Sequence, residues 1–474
     1  MHPALPAVLA GLDHEVVVAP ASSGQRGMWL SHQLDRTGSA YHVTKLLELH
    51  GPLDTERLRN SFTAVVRRHE ALRTSFTRVG GELRQLIHPT AELPFTVTHD
   101  ALPAAVRQAL AGAFDLTAPP LLRVHLFVCG AEHHLLAMVA HHLICDAPSV
   151  RRLWAEVAEQ YRPDNQDADA PPPLQFADYA DWESEWLTGD DYVEHLAYFR
   201  DQLADTPRAL DLPLPVYAET ATTGTVTSDD FPVELTMRLD EVARSLRVTP
   251  FMLMVTLFGG VLHRWTGDDA IVIGTPVSLR DSGELDTTVG MLLNSLPLVT
   301  RWPDSTTFGA ASARIRDTVV AALQRRQCPF DQLVQDLRPG REEGRSPIFQ
   351  VFFSLVPEAD APVTLSGLSV RELPPPPGPA KFELTLNVTA GRQLRCDLEW
   401  SARRFTADTA HAFLRHLRIA AEAVAADPDT PIAQWPLAES SATGLAELLG
   451  TEVDPITGRS SCPTPPHDDL DVKA

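Results

Sequence analysis

Two apolar runs, LLRVHLFVCG (121–130) and AEHHLLAMVA (131–140), meet at a short turn around Gly130 and lead straight into HHLICDAPS (141–149). Runs of this length on either side of a turn predict a strand hairpin. The residues that follow, APSVRRLWAEVAEQY, place Val150, Leu153, Trp154 and Val157 at helical spacing. The chain must therefore seat a buried strand directly ahead of an amphipathic helix, with a histidine pair at the junction. That arrangement calls for a mixed α/β fold.

Other segments agree. DTERLRNSFTAVVRRHEALRTSF sets Leu58, Phe62, Val65 and Val66 on one helical face, with Asp54 placed to cap it. DAIVIGTPVSLR and PIFQVFFSLV read as further strands. In TPFMLMVTLFGGVLHRW, Thr249 is the expected N-cap and Pro250 the first helical residue. Its apolar stretch falls short of the ~18 residues that a membrane span needs, so a buried helix is expected. A chain of 474 residues suits two or three domains or one large two-lobed unit. The join is expected near 188–192, giving one lobe over 1–188, a second over 189–449 and a disordered tail over 450–474. Proline clusters around Pro171 and Pro375 read as loops.

Lys and Arg total 40 against 62 Asp and Glu, a formal charge of −22 that repels phosphate backbones and argues against a nucleic-acid partner. Five cysteines (Cys129, Cys145, Cys328, Cys396, Cys462) lie far apart in no ligand spacing. Their odd number argues against a disulfide framework and for a reducing cytosol. The N-terminal MHPALPAVLAGLDHE lacks the cationic region of a signal peptide. A cytoplasmic, membrane-free protein is expected.

If the strand continues through the pair, His142 shares a face with Met138 and Ala140, and His141 points to the other. Neighbours on opposite faces cannot both ligate one ion. A zinc site drawing on Cys145 and Asp146 is disfavoured because the spacing matches no ligand motif, so no metal is expected. The alternative is acid/base work, in which one imidazole faces a pocket and takes a proton from an incoming nucleophile. Against it stands the bland reading that both are ordinary core or surface histidines. His133 and His134, with no aspartate behind them, are read as structural, and Cys145 as a small buried hydrophobe.

The match extends well beyond this motif. The chain resembles the condensation domains of nonribosomal peptide synthetases, acyltransferases of secondary-metabolite and antibiotic biosynthesis whose signature is HHxxxDG. SSGQRGMWLSHQL (22–34) resembles that family's opening element and RHEALRTSF (68–76) its second, with HHLICD as the third. FADYADWESEWL, VGMLLNSLPLVTR, QCPFDQLV and GRSPIFQVFFSL follow in the family's order. In detail the chain looks most like the members that join two L-configured units.

The resemblance implies two chloramphenicol-acetyltransferase-like lobes in a V-shaped pseudo-dimer with a central tunnel. It implies a donor thioester and an acceptor amine or hydroxyl entering from opposite mouths, carried on the phosphopantetheine of acyl or peptidyl carrier proteins. No cofactor would be bound by the chain itself, and a monomer is expected. By the same resemblance His142 is the general base or the group that positions the acceptor, and His141 supports it. Asp146 would pair structurally with Arg280, and Asn294 would be a tunnel contact or a turn stabiliser. The oxyanion donors are not identifiable from sequence.

One departure stands out. Where the signature ends in glycine this chain has Ala147, followed by Pro148. At a position needing positive φ an alanine would be strained. Ala147 could instead narrow the acceptor side of the tunnel, or mark a domain that recruits a partner without catalysing. Three readings therefore stand: a carrier-dependent condensation enzyme, an acyl-CoA-dependent acyltransferase of the same superfamily, and an inactive docking module. The opening methionine and the lack of adenylation or carrier segments lead us to expect a free-standing enzyme.

Overall fold

The computed structural model describes residues 15–34, 38–99, 103–163, 174–207, 209–210, 212, 224–280, 283–303, 305–338, 345–358, 363–376 and 378–437, with the backbone of 452–453 and 460–461. The main strands are β1 (Val17–Pro20), β2 (His42–His50), β3 (Thr74–Val79), β4 (Glu82–Ile87), β5 (Phe95–His99), β6 (Leu122–Gly130), β7 (His133–His141), β8 (Gly224–Asp230), β9 (Ala270–Ser278), β10 (Leu293–Arg301), β11 (Val351–Pro357), β12 (Ser369–Leu373), β13 (Leu384–Ala390) and β14 (Leu394–Ser401). The helices are α1 (Ser23–Leu34), α2 (Thr55–Arg68), α3 (Pro103–Ala111), α4 (Ala147–Gln160), α5 (Phe176–Trp186), α6 (Asp190–Leu203), α7 (Val233–Leu246), α8 (Pro250–Thr266), α9 (Phe308–Gln324), α10 (Phe330–Leu337) and α11 (Ala407–Ala426).

They build two lobes with separate cores. The first lobe holds a five-stranded sheet in the order β12-β2-β7-β6-β5, beside a small sheet β1-β4-β3. The hairpin of β6 and β7 lies in its middle, where both strands find partners on each side. Helices α2 and α4 pack against each other over this core, with Phe62 meeting Trp154 edge to face at 5.4 Å. The second lobe holds a six-stranded sheet in the order β10-β9-β11-β13-β14-β8.

Helix α8 is enclosed as its composition predicts, with every residue from Met252 to Leu262 buried. Thr249 caps its first turn by accepting the Met252 N–H, and Gly267 closes it at φ 74°, where only a residue without Cβ is unstrained. Among the described residues no single helix is long and apolar enough to cross a membrane.

Chain order and lobe membership part company in two places. After β9 the chain leaves the second lobe, and Leu279, Val289, Met291 and Leu292 are buried in the first lobe's core. Each such side chain contributes about 1.5–3 kcal/mol on burial. Later, β12 crosses the same way and becomes the sheet's edge strand by pairing antiparallel with β2, from Ser369 opposite His50 to Leu373 opposite Leu46. The lobes are thus laced together twice. Of the tail expected over 450–474, a short antiparallel pair, Glu452–Val453 with Ser460–Ser461, is described. The remainder lies outside the described residues, as does Cys462.

Candidate active site

Strand β7 ends at His141, and the chain turns through 142–144 before Asp146 starts α4. His141 is fully buried. The Leu143 N–H donates to its Nδ1 at 3.1 Å, so Nε2 carries the proton and donates to Nδ1 of His32 on α1 at 3.2 Å. The rings of Tyr41 and Phe114 complete its surroundings. Burial, with the neighbouring His32, His42 and His142 rings and the Lys381 ammonium, pushes its pKa down to about 3. Both of its nitrogens are engaged.

His142 differs. Its backbone N–H donates to the Tyr41 carbonyl at 2.8 Å, which holds the turn against the strand, and the residue as a whole is only partly buried. Nδ1 is buried without a hydrogen-bond partner. Burial and the positive charge of Lys381 push its pKa down to about 4, partly offset by Asp146 and nearby backbone carbonyls. At neutral pH it is an uncharged imidazole.

Asp146 is engaged entirely in holding the loop. As N-cap of α4 it accepts from the Ser149 N–H at 2.9 Å and the Ser149 hydroxyl at 2.6 Å. Its other oxygen accepts the Leu292 N–H at 3.1 Å, and Arg280 bonds both oxygens at 2.5 and 3.0 Å. Arg280 also donates to the Ser149 hydroxyl and to the Thr288 carbonyl. The Ser149 hydroxyl also lies within bonding distance of the Gly290 carbonyl, with its one proton shared between that oxygen and Asp146, and it accepts the Gly290 N–H. One aspartate, one serine and one arginine thereby tie the first lobe's loop to the segment arriving from the second. Gly290 is required here by space, since a Cβ would stand 2.0 Å from the Phe176 ring.

Ala147 is the first residue of α4, exposed, and not among the residues with positive φ. The strain argued from the signature glycine does not arise: Asp146 caps the helix, and Pro148 sits in the first turn, where no N–H is needed. Asn294 lies at the start of β10 and its amide is fully engaged. It donates to the Arg326 and Cys328 carbonyls at 2.8 and 2.7 Å and accepts the Phe330 and Ser295 N–H groups, tying down the turn into α10. Of its two expected uses, these bonds describe turn stabilisation.

Cys145 is buried against the His141 carbonyl, and burial pushes its thiol pKa up. His133 bonds Glu48 at 3.0 Å and stacks on His50 at the far end of the hairpin, and His134 is buried. Neither of those two meets the pair at 141–142.

Sequence reasoning passed over four residues. Ser149 had a signal in its spacing from Asp146, the spacing of a helix cap. Gln25, within the opening element, is buried and donates to the Leu143 carbonyl at 3.0 Å, bracing the turn. His32 and Lys381 carried none, because only the fold brings them to the pair.

The condensation-domain family model matches residues 16–444. The chain belongs to the condensation-domain family. It is 35% identical over 436 residues to phosphinothricin tripeptide synthetase PhsC of Streptomyces viridochromogenes, covering 88% of this chain and 40% of that protein. It is 32% identical over 425 residues to tyrocidine synthase 2 of Brevibacillus parabrevis, covering 87% of this chain and 12% of the relative. Among solved structures, the X-domain from teicoplanin biosynthesis in complex with OxyB superposes with a TM-score of 0.82 at 26% identity, covering 88% of this chain and 96% of that one. This condensation domain thus spans less than half the length of these curated relatives. Its fold is the family's: two chloramphenicol-acetyltransferase-like lobes in a V, with a tunnel between them. Members of the family are in general amide- or ester-forming acyltransferases.

Proposed function

We propose that this condensation domain transfers an acyl or aminoacyl group from a thioester on a carrier protein's phosphopantetheine to an amine or hydroxyl at His142, in the reducing cytosol. One observation carries the reading: of the signature residues, His141 and Asp146 are fully engaged in structure, whereas His142, only partly buried as a residue, holds a neutral imidazole whose Nδ1 has no hydrogen-bond partner.

Its depressed pKa defines the role. A base near 4 is too weak to deprotonate a free alkylammonium, and an effective general base lies closer to the working pH. It can still accept a hydrogen bond from a neutral amine and orient the lone pair toward the thioester carbon. Once the new N–C bond forms, the nitrogen's proton becomes far more acidic. His142 takes it and passes it to the departing thiolate. Positioning comes first and proton transfer follows.

The likeness to an X-domain solved with OxyB favours a second reading, a module that recruits a partner enzyme without catalysing. One experiment separates these. Carrier-linked acyl thioesters, with CoA thioesters in parallel, are offered with amines and alcohols and the products followed by mass spectrometry. We expect carrier-linked donors to be turned over and His142→Ala to lose roughly 10²–10⁴-fold. Turnover from CoA alone selects the acyl-CoA reading, and no turnover from either donor selects the recruitment module.

A further inference from the structure

The site so described offers an acceptor-side group but no donor for the oxyanion that forms as the thioester carbonyl is attacked. In the fold, GPAKFELTLNV (378–388) brings one cation, Lys381, to Tyr41 beside the histidine turn. The two residues that follow Lys381 anchor the segment. Phe382 stacks on Phe352 with ring centroids 4.6 Å apart, and Glu383 accepts from Arg345 at 2.6 Å. Just ahead of these anchors the Lys381 ammonium lies 5.3 Å from the centre of the ring of Tyr41, the residue whose carbonyl holds the His142 N–H.

Two features separate Lys381 from a surface lysine. The residue is solvent-accessible, so its ammonium can be reached by a ligand, yet the protein around it lowers its pKa from the usual lysine range. It also makes no ion pair or hydrogen bond with any described residue. Glu399 on β14 is the carboxylate that acts on it, without contact, and its charge in turn is felt at both His141 and His142. An accessible ammonium with no protein acceptor is open to donate to an oxygen supplied by a ligand.

We propose that Lys381 is a reacting-site group whose ammonium hydrogen-bonds the carbonyl oxygen of the donor thioester and holds the negative charge that oxygen gains on attack. This rests on the condensation reading above. The acceptor nitrogen or oxygen bonds to the thioester carbon, the C=O electron pair moves onto the oxygen beside Lys381, and the acceptor's proton goes to His142. The carbonyl then reforms, the C–S bond breaks, and the thiolate leaves with that proton. Lys381 remains protonated throughout.

The test uses the whole chain with Lys381→Met and Lys381→Arg. With a carrier-linked donor and an amine, we expect Lys381→Met to lower kcat about 10²–10³-fold with little change in KM, as for loss of one oxyanion donor, and Lys381→Arg to restore part of it. Melting temperatures should match the wild type. A second readout needs no substrate. In NMR titration of the His142 ring, which also feels His141 and Asp146, removing the Lys381 charge should raise the pKa, and arginine should not. A kcat within threefold of wild type in Lys381→Met, or an unmoved His142 titration, overturns the proposal. If the wild type turns over no donor while the His142 titration still shifts, the condensation reading has failed and takes the oxyanion role with it.

Discussion

The two adjacent histidines share a residue type and little else. His141 has one nitrogen accepting a backbone N–H and the other donating to His32, in a site closed to water, whereas His142 is only partly buried as a residue and its Nδ1 has no partner. Both are held neutral, with pKa values of about 3 and about 4 against an ordinary 6.5. The consequence for stability has a definite sign. As pH falls below 6.5 the unfolded chain takes up protons at these rings while the folded chain does not, so their contribution is complete above 6.5 and is lost on descent toward 4 and 3. Each unit of difference corresponds to about 1.4 kcal/mol. In urea denaturation between pH 7 and 5 we expect stability to fall with pH, and part of that slope to vanish in His142→Gln. An identical slope in the variant counts against a neutral, enclosed His142.

At the scale of elements, the strand-to-helix junction is held by a carboxylate acting three ways, as helix cap, as ion-pair partner and as acceptor for a backbone N–H from the other lobe's chain. Asp146 and Arg280 are both buried, so removing either leaves a poorly compensated charge, a loss on the order of 3–5 kcal/mol. Asp146→Asn and Arg280→Gln should be strongly non-additive in a double-mutant cycle read by denaturant midpoints. Additive losses would mean that the two groups act independently. Because α4 begins at Ala147 with ordinary helical backbone, this junction forms without the signature glycine.

At the scale of the whole molecule, the two lobes are joined by segments that change allegiance. Leu279, Val289, Met291 and Leu292 complete the first lobe's core, and β12 extends its sheet by pairing with β2. Gly290 marks the tightest point of this seam, against Phe176 at the start of α5. Gly290→Ala should force the two apart and break the Ser149 bonds to its backbone, lowering the melting temperature and exposing the seam to limited proteolysis. A variant that melts and resists protease like the wild type would show that the seam gives way easily at this point.

The sequence by itself determined the elements and the signature: the hairpin of β6 and β7, the buried helix α8 with its Thr249 cap, the helix behind Asp54, and the order of family elements that placed His141, His142, Asp146 and Arg280 near one another. These rest on local periodicity, capping and motif spacing, which act over a few residues and can be read along the chain. What only the tertiary structure decided is which groups surround the pair. His32 comes from α1, Lys381 from the approach to β13, and Asn294 turned inward to the 326–330 turn. Burial and the electric field at an imidazole depend on distances between segments hundreds of residues apart. No local pattern encodes those distances, so the separate duties of two neighbouring histidines became legible only when both lobes closed around them.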